Sequence, residues 1–396
     1  MLIRKYTNED YGKVISFLQA NWALTHALYD KRIFDWQYLV AQKQQQGINH
    51  ASEQESLVIL KEDKIVGFLG IIPNQYIWNG QALNGAALTM WVIDEKLRNS
   101  GLGILLIRET EKNNEVTLTL GCNPAIVPLY KKMGYSYLER LNRYVMPLDP
   151  EGYLKLLSAD VAPEAIQGWQ RSIEKTFGSR DDANLHIAAR TEQINLHELE
   201  SLYRESIGRS LVFSRNRDAD FWEWRYLNSP GYRYFFFGNP QAEGIVVARV
   251  ERIINNENSE MDGRKVLRII ECIPKCTDVW NGHTDPLFTN LIRKVCMWGK
   301  HQGCVAADFQ ISTGRLESTL FEAGFRKQEA DYLPDICSLA GLFQPFRYRV
   351  TPINFVWKVK QSGKEPIQID PNDTYFVKSD CDMDRPNIWP LAEDWR

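Results

Sequence analysis

Residues 97–106 read Leu97-Arg98-Asn99-Ser100-Gly101-Leu102-Gly103-Ile104-Leu105-Leu106. An apolar, strand-like run, GAALTMWVID (85–94), enters this decapeptide, and a helix-like run, ILLIRETEKNN (104–114), leaves it. A strand that passes through a glycine turn into a helix makes a place for an anion. The first amides of a helix have no internal acceptor, and the helix dipole favours negative charge in front of them. Glycine at 101 and 103 removes the Cβ atoms that would hold a phosphate away. Arg98 adds a charge-assisted contact or merely stiffens the loop. A tight turn with no ligand fits the same residues. Two nucleotide motifs do not: the loop lacks the Lys-Ser/Thr ending of a P-loop, and it lacks the third glycine and the simple βαβ setting of a dinucleotide fingerprint.

Working outward, DYGKVISFLQANWALTHALYD (10–30) has helical spacing of apolar residues behind the capping stretch Thr7 to Asp10, and IFDWQYLVAQ (33–42) predicts a second helix. SLVILKEDKIVGFLGIIPNQYIWNGQALN (56–84) reads as strands joined by turns at Glu62-Asp63 and Asn79-Gly80. The run 85–94 is apolar enough to be buried on both faces. After the loop and its helix come a strand, VTLTLGCN (116–123), a short helix, PAIVPLYKKM (124–133), a turn at Gly134-Tyr135 and a final strand or two ending near Pro147. This is a complete mixed α/β domain over 1–148, a connecting region over about 150–190, a second domain within 149–361 and a C-terminal tail over 362–396.

The second domain echoes the first. Trp36-Gln37-Tyr38-Leu39 and Trp224-Arg225-Tyr226-Leu227 lie 188 residues apart, and Met133-Gly134-Tyr135 and Ala323-Gly324-Phe325 lie 190 apart. Two matches at nearly one offset argue for an internal duplication. The copy is degenerate. Its loop region, Lys275 to His283, has no G-x-G and no matching arginine, and Leu320 stands where the first domain has Tyr130. Its many aromatics, among them Tyr232, Tyr234, Phe235, Phe236, Phe237, Phe343, Phe346 and Tyr348, are expected mostly in the core. In the tail, Asp380, Asp382 and Asp384 alternate, a pattern that suits a hard cation but is expected to be a solvated turn.

Composition sets the outer bounds. The 396 residues exceed what one core usually serves. With 47 Lys+Arg against 50 Asp+Glu the formal net charge is −3, so no basic field points to nucleic acid or to an acidic membrane. No apolar run is long enough for a signal peptide or a spanning helix. Seven unpatterned cysteines fit a reducing, cytoplasmic setting. Cys272, Cys276, His283, His301 and Cys304 match no common zinc spacing, so no metal is expected.

Arg98-x-x-Gly101-x-Gly103 after that strand resembles the pyrophosphate loop of the GNAT superfamily of N-acetyltransferases. The stretch Gly121-Cys122-Asn123-Pro124 through Tyr130-Lys131-Lys132-Met133-Gly134-Tyr135 resembles the same family's next motif. The resemblance covers residues 1–148 and implies two tandem GNAT-like domains, each a mixed central sheet flanked by helices, the second degenerate. It implies acetyl-CoA or another acyl-CoA as cosubstrate, with its pyrophosphate on the amides of Arg98, Asn99, Ser100, Gly101, Leu102, Gly103 and Ile104. The pantetheine would run beside Trp91, Val92 and Ile93, with an amide near Ile93 polarising the thioester, and Asn123 would sit near it where the central strands part. Tyr130 would donate a proton to the coenzyme A sulfur. For the base, the strand 85–93 offers no carboxylate. His26, with an ordinary pKa of about 6.5, is one candidate, and a water chain is another. The expected activity is transfer of an acyl group, by default acetyl, to a primary amine. The paired Trp motifs and the acidic tail resemble bacterial acyltransferases of surface-polysaccharide synthesis, which implies an amino sugar acceptor, free or nucleotide-linked. Two alternatives are an aminoacyl-tRNA-dependent peptidyltransferase, which the net charge opposes, and a non-catalytic acyl-CoA-binding scaffold.

Overall fold

The structure is a computed structural model that describes residues 1–40, 56–149, 152, 194–253, 262–327, 353–360 and 367–386. The connecting region expected over about 150–190 lies outside these residues apart from Gly152, as do Phe343, Phe346 and Tyr348.

The first half begins with strand β1 (Leu2–Lys5) and helix α1 (Tyr11–Asn21). Helix α2 (Lys31–Asp35) follows and passes directly into a π-helical turn, Trp36–Val40. Strands β2 (Leu57–Lys61), β3 (Lys64–Trp78) and β4 (Gln81–Ile93) form a meander. Its two turns carry positive φ at Glu62 and Asp63 and at Asn79 and Gly80, the conformation that tight hairpins need. Helix α3 (Leu102–Lys112), strand β5 (Val116–Leu120), helix α4 (Val127–Lys132) and strands β6 (Ser136–Leu138) and β7 (Asn142–Pro147) complete the half.

The second half runs through helix α5 (Leu196–Ser210), strand β8 (Phe213–Arg215), helix α6 (Ala219–Trp222), a second π-helical turn Glu223–Leu227, and strands β9 (Phe235–Phe237), β10 (Gly244–Arg252) and β11 (Lys265–Pro274). Helix α7 (Pro286–His301), strand β12 (Cys304–Ile311), helix α8 (Glu317–Ala323), and strands β13 (Arg326–Lys327), β14 (Phe355–Val359) and β15 (Thr374–Tyr375) follow.

These strands form two mixed sheets flanked by helices, one per half, but the halves exchange strands. The first sheet has the order β1-β2-β3-β4-β5-β14-β6, with β8 on the long β3 and β15 on β8; the second has the order β13-β7-β12-β11-β10-β9. Strand β14 of the second half lies between β5 and β6, pairing antiparallel with both. Strand β7 of the first half lies between β12 and β13.

The duplication is visible in the packing. Trp36 and Trp224 stack with centroids 5.3 Å apart. Each indole N–H donates to the other's backbone carbonyl, Trp36 Nε1 to Trp224 O at 3.0 Å and Trp224 Nε1 to Trp36 O at 2.9 Å. This reciprocal contact has the form of a local two-fold. Gly134 and Gly324 likewise end α4 and α8 with positive φ, and the next amides, of Tyr135 and Phe325, donate back to Tyr130 O and Leu320 O.

The tail is not a solvated turn. Asp380 and Asp384 are buried. Arg217 donates to Glu271 and Asp380, and Arg249 donates twice to Asp384, which also accepts from Tyr234. The tail chain lies where β11 and β12 separate. Their parallel pairing ends at Ile269 and Phe309, and beyond it Ser312 N–H donates to Phe376 O while the Tyr375 hydroxyl donates to Glu271 and accepts from Cys272 N–H.

Candidate functional site

In the first half the equivalent separation is open. Strands β4 and β5 run parallel and pair only from Gly85 to Ala87 with Val116 to Leu118. Beyond these residues they diverge around a cleft of about 820 Å³, a size that holds a substantial ligand. A bulge in β4 widens it. Met90 and Trp91 together oppose the single residue Leu69 of β3, and Met90 takes the strained φ of +34°. Bulges of this kind re-aim a strand beside a site.

The decapeptide forms one end of the cleft. Gly101 caps α3 in the left-handed region, φ +83°, and a Cβ built on it would meet nothing within 4 Å. Leu105 N–H is the first to bond within the helix, to Gly101 O, so the amides of Leu102, Gly103 and Ile104 have no helical acceptor. Asn99, also at positive φ, lines the cleft beside them. Two expected donors are engaged within the loop: Arg98 N–H bonds Glu95 O and Ser100 N–H bonds Leu97 O. Ser100 is outside the lining and its hydroxyl also donates to Leu97 O. The Arg98 side chain is exposed and donates to Asn21 O at 2.9 Å, tying the loop to the end of α1. Gly103 answers to a different constraint from Gly101. A Cβ there would stand 2.6 Å from Cζ2 of Trp91, so this glycine makes room for an indole.

Along the cleft, Trp91, Val92 and Ile93 form the β4 wall. Asp94 N–H donates to Val66 O across the hairpin, so strand alternation turns the Ile93 N–H toward the cleft edge. Trp91 Nε1 is buried with no partner among the described residues, which leaves an idle donor under the α3 amides. On the opposite wall Asn123 caps the next turn, its Oδ1 accepting from Ala125 N–H at 3.0 Å. Tyr130 also lines the cleft but is only 2% exposed, wedged between Trp91 and Tyr135. Burial foremost, then the neighbouring Cys122 and Cys381 thiols, raises its phenol well above the ordinary value of 10. It therefore stays protonated at neutral pH, at the wall of the cleft.

His26 is apart from this group. It lies outside the lining residues, packs edge-on against Trp22, and its Nδ1 accepts from Leu28 N–H at 3.1 Å. Burial, and secondarily the Arg385 guanidinium, push its pKa down to about 3. A base of that strength takes no proton from an ammonium near neutral pH, so the structure does not support His26 as the base. The residues that sequence reasoning missed come from the tail: Asp382, Met383 and Arg385 all line the cleft. The signal was present in the cysteine and methionine interleaved with the three aspartates, which suit a buried segment better than a solvated one.

In the second half the corresponding helix start offers no anion site. Asp285 caps α7 with its own carboxylate on Leu287 N–H, and Pro286 removes a donor.

Residues 23–143 match the family model described as the acetyltransferase (GNAT) domain. Among solved structures, the chain is similar to a GCN5-related N-acetyltransferase from Anabaena variabilis ATCC 29413, at 14% identity over 90% of this chain and 72% of that one, with a TM-score of 0.46. It is also similar to an N-myristoyltransferase from Saccharomyces cerevisiae, solved with bound myristoyl-CoA, at 13% identity over 90% of this chain and 77% of that one, with a TM-score of 0.47. No curated protein sequence matches the chain. Over residues 23–143 the chain is thus similar to an acetyltransferase domain of the GNAT type. No helix among the described residues is long and apolar enough to cross a membrane.

Proposed function

We propose that this protein is an acyl-CoA-dependent N-acyltransferase, by default an acetyltransferase, that acts on a primary amine in the cleft between β4 and β5. The observation that carries the reading is the coincidence, in one cleft, of unsatisfied α3 amides, an Ile93 amide facing the gap, and the protonated Tyr130 phenol. The residues fit the cosubstrate. The α3 amides suit a diphosphate, and the idle Trp91 Nε1 suits a polar atom beside it.

Each group then has a defined task. Leu102, Gly103 and Ile104 hold the anionic end. The Ile93 N–H stabilises negative charge developing on the thioester oxygen. As the amine nitrogen bonds the carbonyl carbon and the carbon–sulfur bond breaks, Tyr130 gives its proton to the departing thiolate. An ammonium enters with three N–H protons and leaves as an amide with one. Of the two released, one balances the thiol and the other passes to solvent.

The acceptor we propose is a small molecule, in particular an amino sugar, free or nucleotide-linked, in surface-polysaccharide synthesis, with the reaction in the cytoplasm. What supports that finer reading is the sequence resemblance of the paired Trp motifs and the tail. The test of the reaction is Tyr130→Phe. It should lower kcat by about 10²- to 10⁴-fold and leave the acetyl-CoA dissociation constant unchanged. Full activity in that variant would remove Tyr130 from the chemistry.

A further inference from the structure

The tail brings into the cleft a carboxylate and a guanidinium that the coenzyme loop does not use. Asp382 is the only carboxylate among the described lining residues. It is held firmly, because the aspartates on either side are anchored in the second half, Asp380 on Arg217 and Asp384 on Arg249. Between these anchors the tail is wedged at the parting of the strands. The Cys381 thiol lies 3.8 Å from Leu88 O of β4, and Met383 fills the space over Gly121, just past β5, where a Cβ would meet its sulfur at 2.5 Å.

Arg385 stands beside Asp382. Its Nη1 donates to Asp382 O at 2.7 Å, and its Nη2 is 3.8 Å from Asp382 Oδ2. The two side chains are 15% and 10% exposed. Arg385 Nε is buried with no partner among the described residues. A buried idle N–H on a cation is costly, and an anionic oxygen is the partner that satisfies it best. The Asp382 carboxylate accepts from the Cys381 thiol at 3.6 Å and has that guanidinium at 3.8 Å, distances that leave its oxygens room for a nearer, charged donor.

Resting on the acyltransferase reading above, we propose that the acceptor is a primary amine carrying an anionic group a few atoms from its nitrogen, with Asp382 seating the ammonium and Arg385 the anion. Asp382 accepts the first ammonium proton and passes it to solvent. This frees the nitrogen lone pair to form the bond to the thioester carbon. The class spans amino acids and phosphorylated or nucleotide-linked amino sugars, whose shared chemistry is a cation and an anion at short range.

The experiment uses the full chain, acetyl-CoA and two sets of amines matched in pairs: alanine with alaninamide, glucosamine 6-phosphate with glucosamine, and a nucleotide-linked amino sugar with its free amino sugar. Free coenzyme A is followed by chromatography. At least one anionic member should turn over with kcat/KM tenfold or more above its neutral partner, and which pair responds tells carboxylate from phosphate. Arg385→Gln should raise KM for that member at least tenfold and by a clearly larger factor than for its neutral partner, and Arg385→Lys should restore part of the loss. Asp382→Asn should lower kcat at neutral pH at least a hundredfold. That deficit should shrink as pH rises toward the amine's own pKa, where the acceptor arrives neutral. Unchanged melting temperatures and acetyl-CoA affinity would show that the variants fold. Equal turnover within every pair, no turnover with either set by a protein that binds acetyl-CoA, or an unchanged Asp382→Asn profile would each overturn the proposal. Failure to bind acetyl-CoA would instead bring down the coenzyme reading beneath it.

Discussion

Gly101 and Gly103 look alike in sequence and do different work in the fold. Gly101 is required by its φ of +83° and by open space in front of the helix, whereas Gly103 is required by the Trp91 indole. Gly103→Ala should therefore destabilise the protein by about 1–3 kcal/mol through overpacking, read as a lower midpoint in urea. Gly101→Ala should cost about 1–2 kcal/mol from backbone strain with no clash, and should disturb the cleft less. The family resemblance of the loop and of the strand and helix after it made Gly101, Asn123 and Tyr130 legible as residues of one site, and all three line the cleft. The packing partner of Gly103 was not legible, since nothing in the spacing says which face of β4 the indole takes after the Met90 bulge.

At the scale of elements, the tail segment 374–386 decides most. It fills the parting of β11 and β12 and then crosses to the parting of β4 and β5. Its burial could not be read from its own residues, because the cations that admit Asp380 and Asp384 are Arg217 and Arg249, well over a hundred residues earlier in the chain. Asp384→Asn leaves Arg249 and Arg225 facing a neutral group in the interior. Breaking a buried pair of this kind costs about 3–5 kcal/mol, so the variant should melt well below the parent by calorimetry. The same network sets an acid limit. Burial alone would raise the Glu251 carboxyl, but the guanidiniums of Arg249 and Arg268 outweigh it and hold its pKa at about 2, against an ordinary 4.5. Between those values the unfolded chain binds the extra proton. The stability Glu251 contributes is therefore present above pH 4.5 and lost as pH falls toward 2. Urea unfolding at pH 6, 4 and 3 should show that decline, and Glu251→Gln should lose this part of the slope.

For the whole molecule, the sequence-level repeat predicted two similar halves, and the Trp36–Trp224 contact and the matching helix ends show how they face each other. The exchange of β7 and β14 between sheets was not legible, because each is a short apolar strand that would suit either sheet; only the tertiary partners distinguish them. It follows that residues 1–148 expressed alone lack β14 and leave β5 and β6 with unpaired edges. That fragment should fail to give a cooperative thermal transition, whereas the full chain should give one. A cooperative, dispersed fragment would show that the exchange is dispensable.

The central claim is that acyl-CoA lies on the loop 97–106. The most direct measurement is thermal unfolding of the parent and of Gly101→Asp, each with and without millimolar acetyl-CoA. At about 100 times its dissociation constant a ligand adds about 2.7 kcal/mol of stability. The account predicts a clear upward shift in the parent and none in the variant, whose carboxylate meets the anion at the open start of α3. An equal shift in both proteins would place the coenzyme elsewhere, and no shift in either would contradict the account.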